Sequence, residues 1–440
     1  MSQSVCDHHK RRNWLCEQLD LDSVVILVGN KEQVRNKNIH YRFRQDHDFY
    51  YYTGFAEPDA LAVIRPGHQH QYVLFVQPKD ELQEAWFAPR TGVEGAIERF
   101  DADLAFPVSE IASQLPKLFE NRSKLYLADV MGRFKDQAYD WLDGQRKSVK
   151  FDEVKLYRSL HSALPLTQAR RPVKDTAELA CIRRAVEASV AGHRHLMRIC
   201  RPGLTEQQMA SEFYNQISAH GGNDVGYPTI LAGGNNACCL HYDLNQGTLK
   251  DGDLVLVDAG GECDYYTADI TRTYPVNGKF SPEQRDIYQL VLAALDAAIA
   301  TVRPGVSWNS MYPAAMEVLV RGLLDLKLLQ GSYEQAMDTG SYEKFTLHKT
   351  GHFMGLDVHD VGSYRKADGD WVTLVPNMIF TIEPGLYFPK GMPGIDPRWQ
   401  GMGVRIEDDI LVTTTGNENL SGQLPRTIAD IEALMAEDKL

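Results

Sequence analysis

A chain of 440 residues has room for two folded domains, and 43% apolar with 24% charged residues is the balance of a globular protein, which sets aside disordered, fibrous and membrane-embedded classes. The formal net charge of -13, from 59 acids against 46 bases, argues against nucleic acid or an anionic membrane as partner and leaves peptides or small molecules. Its seven cysteines are scattered without a C-x-x-C pair, so neither a disulfide framework nor a thiolate zinc site is expected.

The opening "MSQSVCDHHKRRNWLCEQLD" is polar, and the first apolar run, residues 24–28, is too short for a leader or a membrane span. A cytoplasmic protein is expected. An amphipathic helix is predicted over residues 11–19 and short strands over 24–28, 60–64, 72–76 and 124–128, separated by Pro, Gly and charge clusters. That alternation predicts a small α/β domain. Arg170-Arg171-Pro172 interrupts the pattern, and Lys174-Asp175 then precedes a long helical periodicity, which puts the domain boundary near residue 170.

Beyond the boundary, Arg-Pro-Gly occurs at 201–203 and again at 303–305, each time after a long amphipathic segment. "GDLVLVDAG" at 252–260 is echoed by "PNMIFTIEPG" at 376–385, each an apolar strand ending in an acid with Gly two residues on. A duplicated half about a pseudo-two-fold axis is expected, with acids converging between the halves.

Four carboxylates, Asp258, Asp269, Glu383 and Glu407, thus stand on strands that expect burial, where isolated charges cost several kcal/mol each (roughly) unless neutralised. Asp258 and Asp269 are eleven residues apart, the spacing of two strands joined by a tight Gly260-Gly261 turn. Arg272 and Arg405 are near in sequence but offer incomplete compensation, whereas divalent metal supplies more positive charge. "LHKTGHFMGLDVHD" adds His348, His352 and His359 in a segment whose glycines oppose a long helix. Four carboxylates with one imidazole form a hard donor set, suited to manganese, iron, cobalt or magnesium, and to two ions about 3.5–4 Å apart.

The ordered series "VDAG", "ADITRTY", "TGHFMGLDVHD", "TIEPGLY" and "VRIEDD" resembles the metal-binding pattern of the creatinase/prolidase/methionine aminopeptidase "pita-bread" group, most closely its aminopeptidase P branch. "FYYYTGFAEPDA" and "TGNENL" extend the resemblance over nearly the whole chain. It implies an α/β (α+β) fold: a creatinase-like α/β domain over residues 1–170, serving substrate access and oligomerisation, and a catalytic pita-bread domain over 171–440.

The resemblance further implies that Asp258, Asp269, His352, Glu383 and Glu407 bind two divalent ions, usually Mn²⁺ in this branch, with Co²⁺, Fe²⁺ or Zn²⁺ as alternatives. Asp269 and Glu407 would bridge them, Asp258 holding one ion and His352 with Glu383 the other. A hydroxide between the ions would attack peptides with proline in second position, Glu383 handling protons. His241, His348 and His359 would hydrogen-bond substrate and oxyanion. Arg405, two residues before Glu407 and so on the same strand face, would orient carboxylates, and Tyr227 and Tyr387 would flank the substrate. Trp86 in "EAWFAPR" matches a tryptophan that approaches a neighbouring subunit's site, which implies a homo-oligomer, dimer or tetramer; a core position in the small domain is its alternative.

The competing readings are a prolidase with the same ligands, the metal-free creatinase, and a non-catalytic peptide-binding module, whose relatives have lost ligands that this chain keeps. Departures at "LHKTGHFMG" and in residues 221–236 touch no ligand and bear on substrate preference alone.

Overall fold

The computed structural model describes residues 6–119, 122–134, 137–138 and 159–437. They form two compact units, Met1–Arg170 and Arg171–Leu440.

The first unit opens with helix α1 (His8–Glu17), started by the Asp7 side chain accepting from the Lys10 amide. Its hidden face is less apolar than a helix over 11–19 would be: Arg11 and Arg12 are buried, their guanidinium carbons 3.9 and 4.0 Å from the Tyr51 and Tyr72 ring centres. Strand β1 (Ser23–Val28) follows, then a small hairpin of β2 (Val34–Asn36) and β3 (Ile39–His40), helix α2 (His47–Thr53), β4 (Leu61–Ile64) and β5 (Tyr72–Val76). Helices α3 (Glu81–Trp86) and α4 (Gly92–Phe100), β6 (Leu104–Pro107), α5 (Ile111–Gln114), β7 (Lys124–Ala128), β8 (Ser159–Ser162) and α6 (Leu164–Thr167) complete the unit. Six strands pair in the order β6-β5-β4-β1-β7-β8, and their alternate residues, Val24, Ile26, Val28 and Val63 among them, meet Leu115, Leu118 and Phe119 in one apolar core.

The second unit starts on α7 (Thr176–Ile199), nucleated by a reciprocal capping box between Asp175 and Glu178. Arg201-Pro202-Gly203 turns the chain into α8 (Glu206–Ala219), and Arg303-Pro304-Gly305 does the same between α9 (Pro282–Thr301) and α10 (Met311–Asp325). Between these helix pairs lie β9 (Asp224–Val225), β10 (Ile230–Gly233), β11 (Leu254–Asp258), β12 (Gly261–Cys263), β13 (Tyr266–Thr267) and β14 (Thr271–Pro275). After α11 (Tyr333–Thr339) come β15 (Ile379–Ile382), β16 (Gly385–Phe388), β17 (Met402–Arg405), β18 (Asp408–Val412), β19 (Asn417–Asn419) and α12 (Ile428–Ala436).

The halves correspond. In the first, antiparallel β11 and β14 pair Asp258 with Thr271; in the second, β15 and β18 pair Ile382 with Asp408. Each pair carries one acid where its first strand ends and another just before its second begins: Asp258 and Asp269, then Glu383 and Glu407. The duplicated half expected from the Arg-Pro-Gly and strand echoes is therefore built as two antiparallel pairs that present their acids at matching ends.

The expected turn at Gly260-Gly261 is corrected. The chain reverses at Asp264-Tyr265, both left-handed (φ 49° and 72°), a two-residue connection between β12 and β13 whose twist suits a hairpin. Gly260 serves close approach instead, since a Cβ there would lie 1.8 Å from the Ala268 carbonyl oxygen.

Candidate metal centre

Only Asp258 belongs to a strand, as the last residue of β11; Asp269, Glu383 and Glu407 sit in the irregular steps beside strands. There a side chain can turn inward without breaking a ladder. His352 comes from an irregular segment laid along β15, its carbonyl accepting from the Thr381 amide at 2.9 Å while the Glu383 amide donates to the Thr350 carbonyl at 2.8 Å. These five residues line one cavity of about 550 Å³, together with Tyr227, His241, His348, His359 and Arg405.

The distances are those of a compact polar cluster. His352 Nε2 lies 3.4 Å from Asp269 Oδ2 and 3.6 Å from Glu383 Oε1. Ligand atoms of Asp269, His352 and Glu407 all fall within 4.8 Å of one another. The Tyr227 hydroxyl stands 2.6 Å from Asp258 Oδ1 and 2.5 Å from Asp269 Oδ1, so this tyrosine, expected at the substrate, also braces two acids. Thr271 Oγ1 donates to Glu407 Oε2 at 2.6 Å. His352 Nδ1 faces the Phe353 carbonyl at 3.0 Å; a proton there directs Nε2 at the acids, where it would give up its own proton to offer a lone pair to a metal.

Positive charge is short. Arg405 Nη2 meets Asp258 Oδ2 at 2.6 Å and holds that carboxyl below its usual range, against the opposing effect of burial. Among the described residues no arginine or lysine forms an ion pair with the rest: burial pushes Asp269 up and, joined by the neighbouring acids, Glu407 well up. Burial also raises Glu383 to about 7, with His352 and Arg405 only partly offsetting it. His352 rises to about 9, the bond to Asp269 outweighing the burial that would lower it. An oxygen-rich, under-neutralised donor set around one imidazole fits divalent metal.

Arg272 does not share in this compensation, contrary to the sequence expectation. It is fully buried, its Nη2 2.7 Å from Asp408 Oδ1 and its Nη1 2.7 Å from the Glu407 carbonyl, so it secures the backbone that carries Glu407.

Tyr387 is also corrected. It is fully buried and lies outside the cavity lining, its hydroxyl 2.8 Å from Arg405 Nη1 and 2.7 Å from His348 Nε2. Asp258, Arg405, Tyr387 and His348 thus form one hydrogen-bonded line. Burial and the adjacent guanidinium push His348 down to about 4, so it is neutral, with Nδ1 at 2.8 Å from the Lys349 carbonyl. Both its nitrogens have partners in the wall, and Nδ1 also lies 3.5 Å from Glu383 Oε2 at the cavity.

His359 keeps its place at the cavity, its ring centre 4.3 Å from that of His352 in an edge-to-face contact. Burial, with His352 adding to it, lowers its pKa. Its neighbour Asp360, missed in the sequence although adjacent in "VHD", is buried with Oδ1 2.5 Å from Arg171 and Oδ2 2.7 Å from Lys174. This ionic post fixes the loop from which His359 projects. In the first unit, Trp86 on α3 is 76% exposed, beside exposed Leu82 and Phe87, so the core alternative for this tryptophan is excluded.

These shifts carry a prediction. Glu383 has an ordinary value of 4.5 and stands near 7 when folded, so between those values the metal-free native chain holds more protons than the unfolded one. The stability it contributes is present at low pH and is lost as pH rises through about 7. Metal must displace the same protons, so affinity strengthens with pH. Calorimetric metal titration in two buffers of different ionisation enthalpy should find greater proton release at pH 6 than at pH 8; equal release would contradict the assignment.

The chain matches metallopeptidase family M24 over residues 180–414 and the aminopeptidase P N-terminal domain over residues 8–126. It is 37% identical over 432 residues to an Xaa-Pro aminopeptidase of Escherichia coli, covering 98% of this chain and 97% of the relative. An Xaa-Pro aminopeptidase of Haemophilus influenzae is 36% identical over 430 residues, with the same coverage of 98% and 97%. Among solved structures, that of Pseudomonas aeruginosa aminopeptidase PepP is similar at a TM-score of 0.94 and 40% identity, covering 98% of this chain and 97% of that one. Aminopeptidase P of E. coli with the inhibitor Pro-Leu gives 0.93 at 36% identity, covering 99% and 98%.

Proposed function

The chain belongs to metallopeptidase family M24, and from that premise we propose that it is a metal-dependent Xaa-Pro aminopeptidase, releasing the N-terminal residue from peptides with proline in second position. The observation that carries this reading is the convergence of Asp258, Asp269, His352, Glu383 and Glu407 on one cavity with too little fixed positive charge. In this reading these five residues, Asp269 and Glu407 among them, would hold two divalent ions per chain, most readily Mn²⁺. Bound there, divalent metal would lower the pKa of water and polarise the scissile carbonyl.

The chain's own residues then position and move protons. Asp258 is fixed by Arg405 and Tyr227, and Glu407 by Thr271, so the donors are held before substrate arrives. Glu383, at the cavity, takes a proton from the attacking water and passes it to the leaving nitrogen. That nitrogen belongs to a tertiary amide without hydrogen, so recognition cannot use the donor offered by an ordinary peptide. His359 and His241 stand at the cavity to hydrogen-bond the peptide.

Replacing His359 by alanine should lower kcat by about a hundred- to a thousand-fold while metal content stays near normal, because His359 touches His352 but is not one of the five donors. Loss of metal on analysis of that variant would make it a ligand instead.

The first unit, in the same reading, governs substrate access and assembly into a homo-oligomer, with exposed Trp86 at the contact. Seven scattered cysteines without a C-x-x-C pair suit the reducing cytoplasm. Among the described residues no helix is long and apolar enough to cross a membrane. The function is tested with a Gly-Pro-Xaa tripeptide against Gly-Pro. Release of glycine from the tripeptide is expected; turnover of the dipeptide alone would make the enzyme a prolidase.

A further inference from the structure

Residues 239–247 cross the rim of the cavity without helix or strand of their own, and Leu240, His241 and Asp243 face it. Their position must be set by side chains beneath them. Leu240 and Tyr242 pack on a cluster of Ile230, Ala232, Ala237, Leu256 and Tyr387. Asn245 is buried, accepting from the Leu231 amide at 3.0 Å and donating to the Thr229 carbonyl at 2.8 Å.

The strongest anchor is Glu206, the first residue of α8, a carboxylate only 1% exposed and outside the cavity lining. Its Oε1 accepts from the Gly233 amide at 2.8 Å and Asn236 Nδ2 at 2.9 Å; its Oε2 accepts from the Tyr242 hydroxyl at 2.9 Å and the Gly247 amide at 2.5 Å. Each oxygen is thus saturated by two donors, and none of the four is a basic side chain. The donors stand before, within and at the end of the rim segment, so one buried group ties both its ends. Gly247 is needed for this approach, since a Cβ there would lie 2.7 Å from Glu206 Oε1.

We infer that Glu206 is a positioning residue for the proposed reaction: it sets His241 at the cavity rim by holding residues 239–247 from below. The inference rests on the reading of the cavity as a peptide site. Glutamine at this position offers one acceptor oxygen and an NH₂, which would confront two of the four donors. The rim would loosen, and a displacement of about 1 Å at a substrate-holding group lowers rates by as much as ~100-fold.

The test is a double-mutant cycle on the full metal-loaded enzyme, with a tripeptide carrying proline in second position. Glu206→Gln should lower kcat/KM at least about ten-fold with metal content unchanged, and Glu206→Gln combined with His241→Ala should be no slower than His241→Ala alone. Losses that multiply in the double variant, or a His241→Ala enzyme as active as the unaltered one, would overturn the inference. Tyr242→Phe removes one donor and runs the same cycle should Glu206→Gln not fold. Amide exchange of residues 239–247 should quicken in Glu206→Gln; unchanged exchange also refutes the anchor. An unaltered enzyme that fails to cleave the tripeptide would instead count against the peptide reading, and the exchange measurement still decides on Glu206.

Discussion

Glu407→Gln, and likewise Asp269→Asn, will reduce Xaa-Pro turnover by at least about a thousand-fold, roughly 4 kcal/mol of barrier, and lower bound metal below stoichiometry. Each change keeps shape and removes an anionic donor. Glu407 is 2% exposed and Asp269 5%, so water cannot replace the lost ligand charge. The effect belongs to metal binding and not to folding. Buried acids crowd one another here, and the burial and repulsion that raise Glu407 and Asp269 no longer act on a neutral amide. The metal-free variants should therefore melt no lower than the metal-free unaltered protein. Metal analysis, turnover and melting together decide it: full metal with full activity in either variant contradicts the assignment.

The second large effect is on stability. Asp408→Ala will destabilise the catalytic unit by about 3–5 kcal/mol, because it leaves the Arg272 guanidinium buried without its counter-charge. Both side chains are fully buried, and Asp408 also accepts from Asn419 Nδ2 and Ser421 Oγ, each at 2.7 Å. Burial alone would raise this carboxyl, yet Arg272 and these donors hold it low. The melting temperature should fall by roughly 6–20 °C for a unit of this size. Arg272 also grips the Glu407 carbonyl, so metal affinity should weaken along with stability. An unchanged melting temperature would contradict this role for the pair.

Much of this was legible in the sequence for physical reasons. Lone acids at the ends of apolar runs are expensive unless something cationic meets them, which singled out Asp258, Asp269, Glu383 and Glu407. Strand echoes and the repeated Arg-Pro-Gly conveyed the duplicated half. Pairings were less visible. Arg272 and Arg405 look equivalent in sequence, yet only Arg405 reaches the acids, because which carboxylate a buried arginine meets is decided by register across strands 130 residues or more apart. The turn at Asp264-Tyr265 lacks the glycine that usually marks left-handed backbone, so the neighbouring glycine pair drew the prediction instead. Tyr387 was matched by its position in "TIEPGLY", but a motif carries no sign of which way a ring faces. Glu206 and Asp360 left the faintest trace, each an ordinary charged residue until its donors assemble around it.

Metal titration of chelator-stripped protein, followed alongside cleavage of a Gly-Pro-Xaa tripeptide, tests the central claim most directly. Two divalent ions should bind per chain, and turnover should be absent before their addition and return with them. Undiminished cleavage by the stripped protein, or uptake of metal without any cleavage, would contradict it.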